Sequence, residues 1–503
     1  LSATPEKELE RQFEEAMGAP YYRVSEIGWR ETPLPEVPET QQSVIPFSPD
    51  ELPSNCRAVL PPVDLTITPA STFETATAIL NSENVLHDRL RDGRTVMMLD
   101  GVHEVDRVYN SLTQSDIDEI VRIDGFHREN VREKLDSFET LVSNSAVEVG
   151  VDFDTEQIIF SGHDTASFFQ RLGRLRTRPN RSAAYAYVPP YLFDALESMA
   201  TTYTGQWIDR ATFEEQVGSE YIDTSTPESF DWRYSAVEAY DHIENRAKSA
   251  PSDDQPAIRE AGWKRIERHF FHSHEKGFTE SDLKRLHDVA GTPLLDSLQT
   301  YRGDSIQTVV YDSQSQTIQT YSIPHLLRHG DVSFHSKDEF LSILPEQLHD
   351  QVSRLEPYSS GYCLYRGGYE DETDTTDEEK STGRLVTYKA TGELYSLLSD
   401  VSRDVRTPKV CTGLEIETEP SVSGLDLLKE DLSDTEVLCY PLEGHVSQIQ
   451  NQYSLGPFGF IYPLYYTKGD AAVAFSHDAL YLYCRVQDRI EAESNTIDEV
   501  LDF

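Results

Sequence analysis

The chain has 503 residues, 38% hydrophobic and 10% aromatic, enough for roughly three packed domains and too apolar for wholesale disorder. No apolar run approaches the roughly 18 residues of a membrane span, and LSATPEKELE lacks the basic start and apolar stretch of a signal peptide. Membrane partners are therefore not expected, and a cytoplasmic location is. The net charge is −44, from 44 basic residues (32 Arg, 12 Lys) and 88 acidic ones. An acidic, Lys-poor chain suits a very salty cytoplasm, where charge repulsion is screened over about 3 Å at 1 M salt, and it predicts a salt-loving archaeal source. Under such screening net charge does not exclude nucleic acid; local basic patches decide. The cysteines, Cys56, Cys363, Cys411, Cys439 and Cys484, are far apart and form no CxxC pair, so neither a zinc site nor a disulfide framework is indicated.

In chain order, residues 1–5 read as a strand end and 6–17 as a helix with Leu9, Phe13 and Met17 on one face. Six prolines break residues 31–55 into a connector. Strands and helices then alternate. Strands are predicted at 94–100, 120–126, 139–144, 157–162 and 183–189, and helices at 102–112, 128–135 and 165–176. That order predicts an α/β fold, a parallel sheet with helices on both faces. Residues 191–300 read as mostly helical, 304–323 as a hairpin and 336–355 as helical again. Residues 369–380 form an acidic loop, and the rest to Phe503 reads as mixed and strand-rich.

Two stretches carry chemistry. LVSNSAVEVGVDFD (141–154) places Gly150 and Asp152 after a strand, where parallel sheets collect ligands; glycine admits a close phosphate or ribose, and the carboxylate accepts a ribose hydroxyl. QRLGRLRTRPNR (170–181) holds Arg171, Arg174, Arg176, Arg178 and Arg181 with no acidic residue. Guanidinium groups suit bidentate phosphate contact and can neutralise a transferring phosphoryl group. The alternative is a solvated basic face. Five His-Asp dipeptides could suggest a two-metal site, but they lack partners at helical spacing; His477-Asp478 sits in a strand-like context, and His269, His272 and His274 read as a helix end. No metal site is predicted.

The order SAT (2–4), SNSAVEVGVD (143–152), QRLGR (170–174) resembles motifs III, V and VI of superfamily-two helicases; RTVMMLDGVHEVDRVYNSL resembles their motif IV region, and GFHREN (125–130) the backbone-contacting segment after it. RAVLPPVDLTI (57–67), LDGVHEV and YRGDSIQTVVYD (301–312) look most similar to the CRISPR-associated helicase of type I-D effectors. The resemblance is clear over residues 1–190 and thin beyond. It implies a RecA-like motor: 1–30 the end of a first lobe, 31–55 the connector, 56–190 the second lobe, then a helical region (191–300) and an accessory region (301–503). Ser2 and Thr4 would couple hydrolysis to movement. Asn144, Ser145, His127 and Arg128 would touch DNA. Gln170 and Arg174 would face the γ-phosphate, Arg174 as the arginine finger, joined by Arg176 or Arg178. Gly150, Asp152, Arg171 and Gly173 would lie beside ATP.

The implied cofactors are ATP and Mg2+. The implied partners are single-stranded and duplex DNA and a CRISPR effector complex whose nuclease sits on a separate large subunit. Two departures stand out: Asn144 replaces the usual Thr of motif V, and Thr177 the last Arg of motif VI, with Arg176 and Arg178 on either side. No GxxxxGK[ST] loop and no DExH-type box occur. A chain beginning at Leu1 within motif III is expected to be a truncated piece, inactive alone. Another superfamily-two repair or RNA helicase, or a non-catalytic accessory protein, are the competing expectations.

Overall fold

The structure is a computed structural model. It describes residues 63–501 except 92, 116, 118, 128–130, 148–154, 176–181, 204–206, 209, 223–229, 231–233, 272–279, 282, 285–286, 288–294, 296–305, 357–358, 370–382, 400–406, 457–460 and 467–468. Ser2, Thr4, Arg128, Gly150, Asp152, Arg176 and Arg178, the 1–55 elements, and all but Tyr369 of the acidic loop lie outside the described residues. The chain divides into two compact units, Leu1–Ile222 and Asp223–Phe503.

The first unit is built on six strands: β1 Val63–Pro69, β2 Thr95–Met98, β3 Ile120–Ile123, β4 Thr140–Ser143, β5 Gln157–Ser161 and β6 Ser182–Val188. All pairings are parallel, in the order β1-β6-β5-β2-β4-β3. The helices are α1 Thr75–Leu80, α2 Glu83–Arg91, α3 Val102–Thr113, α4 Val131–Ser137, α5 Thr165–Leu172, α6 Pro190–Thr202 and α7 Arg210–Glu220. Side-chain alternation along each strand splits the apolar residues between two cores. Val96, Met98, Ile158 and Phe160 pack with Phe168, Leu172, Leu192 and Phe213 on one face. Met97, Leu99, Val142 and Ile159 pack with Ile79, Leu86, Val105 and Val108 on the other. This is the α/β sheet with two covered faces that the RecA-like expectation describes.

α6 and α7 belong to this unit, since Leu192, Leu196, Phe213 and Val217 complete its first core. The arginine-rich helix is shorter than expected. It ends at Leu172, with Gly173 as its cap, and the Gly173 N–H donates to the Phe169 carbonyl at 2.9 Å.

In the second unit, β7 Gln307–Asp312 and β8 Thr317–Ser322 form the predicted antiparallel hairpin. With β9 Gly330–His335 and β10 Tyr362–Gly368 they make a sheet of order β8-β7-β10-β9. β11 Leu385–Ala390, β12 Lys409–Cys411, β13 Leu414–Glu419, β14 Val437–Glu443, β15 Tyr462–Tyr466 and β16 Gly469–Phe475 make another, of order β12-β14-β16-β15-β11-β13. Helical residues Val237, Tyr240 and Ile266 share a core with Leu438, Tyr440 and Ala474 of that sheet. The strand-like context expected for His477-Asp478 is corrected: Ser476–Leu501 is a helix that starts directly after β16. Ser476, at φ 50°, makes the break between the two.

Candidate active site at the carboxyl edge of the parallel sheet

Because all six strands run the same way, their carboxyl ends share one edge, the edge where open α/β sheets bind ligands. Short apolar strands stop there at polar residues: Asp100 after β2, Asp124 after β3, Asn144 after β4, and Ser161 and His163 at and after β5.

Asp100 organises the centre of this edge. Its Oδ1 accepts from Ser161 Oγ at 2.7 Å and Arg171 Nη1 at 2.9 Å, and its Oδ2 faces His163 Nδ1 at 2.5 Å. Arg171 Nη1 also donates to the Ser161 carbonyl at 2.6 Å. His163 Nε2 lies 3.1 Å from the Ala70 carbonyl oxygen. Both ring nitrogens thus face acceptors, and only the doubly protonated ring satisfies both. Burial works against that charge, but the hydrogen bond and charge of Asp100 outweigh it and raise the His163 pKa. Burial likewise opposes the Asp100 carboxylate, and Arg171 and His163 overcome it, holding Asp100 well below the usual range.

Glu104, in the first turn of α3, completes the cluster. Its carboxylate accepts from the backbone N–H of Ala76 at 3.0 Å, Asp100 at 3.2 Å and Gly101 at 3.3 Å. Burial, then the nearby Asp100 charge, push its pKa up to about 7. With Asp100 negative and His163 and Arg171 positive, an ionised Glu104 makes the cluster neutral. Asp164 caps α5, accepting from Ser167 N–H at 2.9 Å, so the His163-Asp164 dipeptide splits its two side chains between different jobs. Tyr221 Oη donates to the Gly162 carbonyl at 2.7 Å beside them.

A second cluster sits at the end of β3. Arg122 Nε donates to Asp124 Oδ2 at 2.6 Å, and its Nη1 donates to Asp106 of α3. Asp124 Oδ1 accepts from the N–H of Phe126 at 2.7 Å and of His127 at 3.0 Å, with His127 Nδ1 at 3.2 Å. This carboxylate-centred turn presents the partly exposed His127 ring. Burial opposes the Asp124 charge, yet the His127 hydrogen bond and Arg122 lower its pKa to about 2.

Of the residues singled out from the sequence, Gln170 and Arg174 flank the cap of α5 and are half-buried. Arg171 is placed differently from a phosphate-facing residue: it is 3% exposed, and Nη1 is committed inward to Asp100 and Ser161. Gly173 turns the chain out of α5; a Cβ there would meet the Phe169 carbonyl at 3.0 Å. Asn144 is buried at the end of β4, and Ser145 opens the short 3-10 turn Ser145–Val147. The sequence did not single out Asp100, Glu104, Ser161 or the Arg122–Asp124 pair. For Asp100 and Ser161 the signal was present in LDG and SGHD, where an apolar run halts at polar residues. Among the described residues no group of three or more His, Cys, Asp or Glu could hold a metal ion, and no helix is long and apolar enough to cross a membrane.

No protein family and no curated protein matches this sequence. Among solved structures, a DUF1998 helicase, MrfA, bound to DNA is 11% identical, covers 86% of this chain and 62% of its own, and has a TM-score of 0.39. A CRISPR-associated protein is 14% identical over 61% of this chain and 36% of its own, at a TM-score of 0.29. The E. coli DEAD-box protein SrmB, bound to regulator of ribonuclease activity A, is 16% identical over 30% of this chain and 88% of its own, at 0.22. The chain spans less than two thirds of the MrfA and CRISPR-associated chains it matches.

Proposed function

We propose that this chain is part of an ATP-dependent, superfamily-two DNA helicase or translocase that unwinds target DNA in type I-D CRISPR antiviral defence, in the cytoplasm of a salt-loving archaeon. One observation carries the reading. α5, which bears Gln170 and leads into Arg174, is anchored through Arg171 to the carboxyl edge of a six-stranded parallel sheet. The same edge carries Asn144 and the His127 turn.

In this reading residues 56–190 are the second motor lobe, with 1–30, 31–55, 191–300 and 301–503 as first-lobe end, connector, helical and accessory regions. ATP and Mg2+ would be held chiefly by a phosphate-loop lobe, since these 503 residues contain no GxxxxGK[ST] loop. ATP hydrolysis supplies the free energy for strand movement. Arg174 would place its guanidinium against the transferring phosphoryl group, with Gln170 beside it and Arg176 or Arg178 as the last arginine. Gly150, Asp152 and Gly173 would line the nucleotide, and Ser2 and Thr4 would couple it to the strand. Asn144, Ser145, His127 and Arg128 would contact the DNA backbone. Asp100, Ser161 and His163 hold Arg171 and so fix how α5 presents its end. The partner would be a CRISPR effector complex with its nuclease on a separate large subunit.

The test uses a protein carrying this chain together with the phosphate-loop lobe. Arg174→Ala should lower DNA-stimulated ATP hydrolysis about 10³-fold or more, as expected for loss of an arginine finger, with the melting temperature unchanged. Unchanged turnover would sink the finger assignment. Equal stimulation by RNA and DNA would point instead to another helicase of the superfamily.

A further inference from the structure

Two cysteines 28 positions apart meet in the second unit. β12 is a three-residue edge strand, paired antiparallel with β14 so that Lys409 opposes Cys439 and Cys411 opposes Val437. Strand alternation puts Cys411, Val437 and Cys439 on one face, so the two thiols face each other on the diagonal. Their sulfurs are 2.8 Å apart, and Cys439 Sγ lies 3.5 Å from the Lys409 carbonyl oxygen. Cys411 is 7% exposed and Cys439 is 1% exposed.

We propose that Cys411 and Cys439 are a modification site, forming a reversible cross-strand disulfide that pins β12 to β14, with a low-molecular-weight disulfide such as oxidised glutathione as the oxidant. The reaction balances in two exchanges. The Cys411 thiolate, on the more accessible edge strand, attacks one sulfur of glutathione disulfide and expels one glutathione thiolate, leaving a mixed disulfide. The Cys439 thiolate then attacks the Cys411 sulfur and expels the second glutathione. Two protein thiols lose two electrons and two protons, and one glutathione disulfide becomes two glutathione molecules. The hydrogen bond shared with Cys411, then burial, raise the Cys439 thiol pKa, so exchange through the Cys439 thiolate accelerates as pH rises. Entry of the oxidant needs only local opening of a short edge strand. The proposal is independent of the motor reading.

The experiment incubates the chain, folded, with excess oxidised glutathione or with dithiothreitol, then unfolds and alkylates it. Of the five cysteines, five should be alkylated after reduction and three after oxidation, with one non-reduced digest product joining the Cys411 and Cys439 peptides. Cys439→Ser should show four alkylated thiols in both conditions and no such product. The wild-type map decides the matter even if that variant does not fold. Five alkylated thiols after oxidation, or a linkage mapped to other cysteines, would overturn the proposal. Oxidation should also raise the unfolding midpoint of the second unit by roughly 5–10 °C, as closing a loop of this length predicts; a mapped disulfide with no rise would overturn the pinning.

Discussion

The two charged clusters on the parallel sheet use similar parts for different ends. His163, Arg171 and Glu104 are at most 3% exposed, the Asp100 side chain is 1% exposed, and they tie three elements, β2, β5 and α5, to one carboxylate. Asp106, Arg122 and Asp124 are as deeply placed, but their last member, His127, has a side chain 19% exposed. The first cluster is closed on itself and fixes a helix; the second ends in a turn that faces outward. Burying ions is costly, and both clusters keep them by pairing opposite charges, although Arg122 Nη2 is buried without a hydrogen-bond partner.

That difference sets what breaks each one. Asp100→Ala should be the most damaging change, because it leaves Arg171 and His163 buried without their counter-charge; about 3–5 kcal/mol should be lost in denaturant unfolding of the first unit. A loss below 1 kcal/mol would mean that the cluster opens to water.

The next effect is pH. Glu104, moved from the ordinary 4.5 up to about 7, and His163, also raised, both hold protons more tightly in the folded state. The folded chain therefore binds more protons than the unfolded one across roughly pH 4.5–7, and stability falls as pH rises through that window. The loss should be roughly 2 kcal/mol between pH 5 and 8, and His163→Gln should flatten part of it. Asp124, held at about 2, has the opposite sign: its contribution is present above the ordinary carboxylate pKa of 3.8 and is lost as pH falls towards 2. Asp100, also depressed, bounds the first cluster on the acid side. An identical pH slope in wild type and His163→Gln would refute the charged-histidine assignment.

The smallest effect is expected at the open cluster. Asp124→Asn keeps the shape and one acceptor, so about 1–2 kcal/mol should go. If the turn presents His127 to a nucleic-acid backbone, single-stranded DNA affinity measured by fluorescence anisotropy should drop as well. Lost stability with unchanged affinity would leave the turn a purely structural device.

The alternation of short apolar strands with amphipathic helices was legible in the chain from residue 94 to 189, because parallel strands buried on both faces must be apolar throughout. The hairpin at β7 and β8 was legible from two strand-like runs around SQSQ. The end of α5 was not, because RLGRLR after Gln170 reads as helical straight through Gly173, where the helix is capped. The helix from Ser476 was hidden because β16 runs into it without a turn-forming pair, the chain reversing at one left-handed Ser476.

By itself, the sequence determined the alternating strands and helices between residues 94 and 189, the hairpin at 304–323, and that arginines cluster after Gln170; these are local properties of composition and period. Only the tertiary structure decided that Arg171 turns inward to Asp100, that His163 belongs with Asp100 rather than Asp164, and that Cys411 meets Cys439. Each of those depends on strand order and register, which bring together residues 28 to 71 positions apart, and no local pattern encodes that.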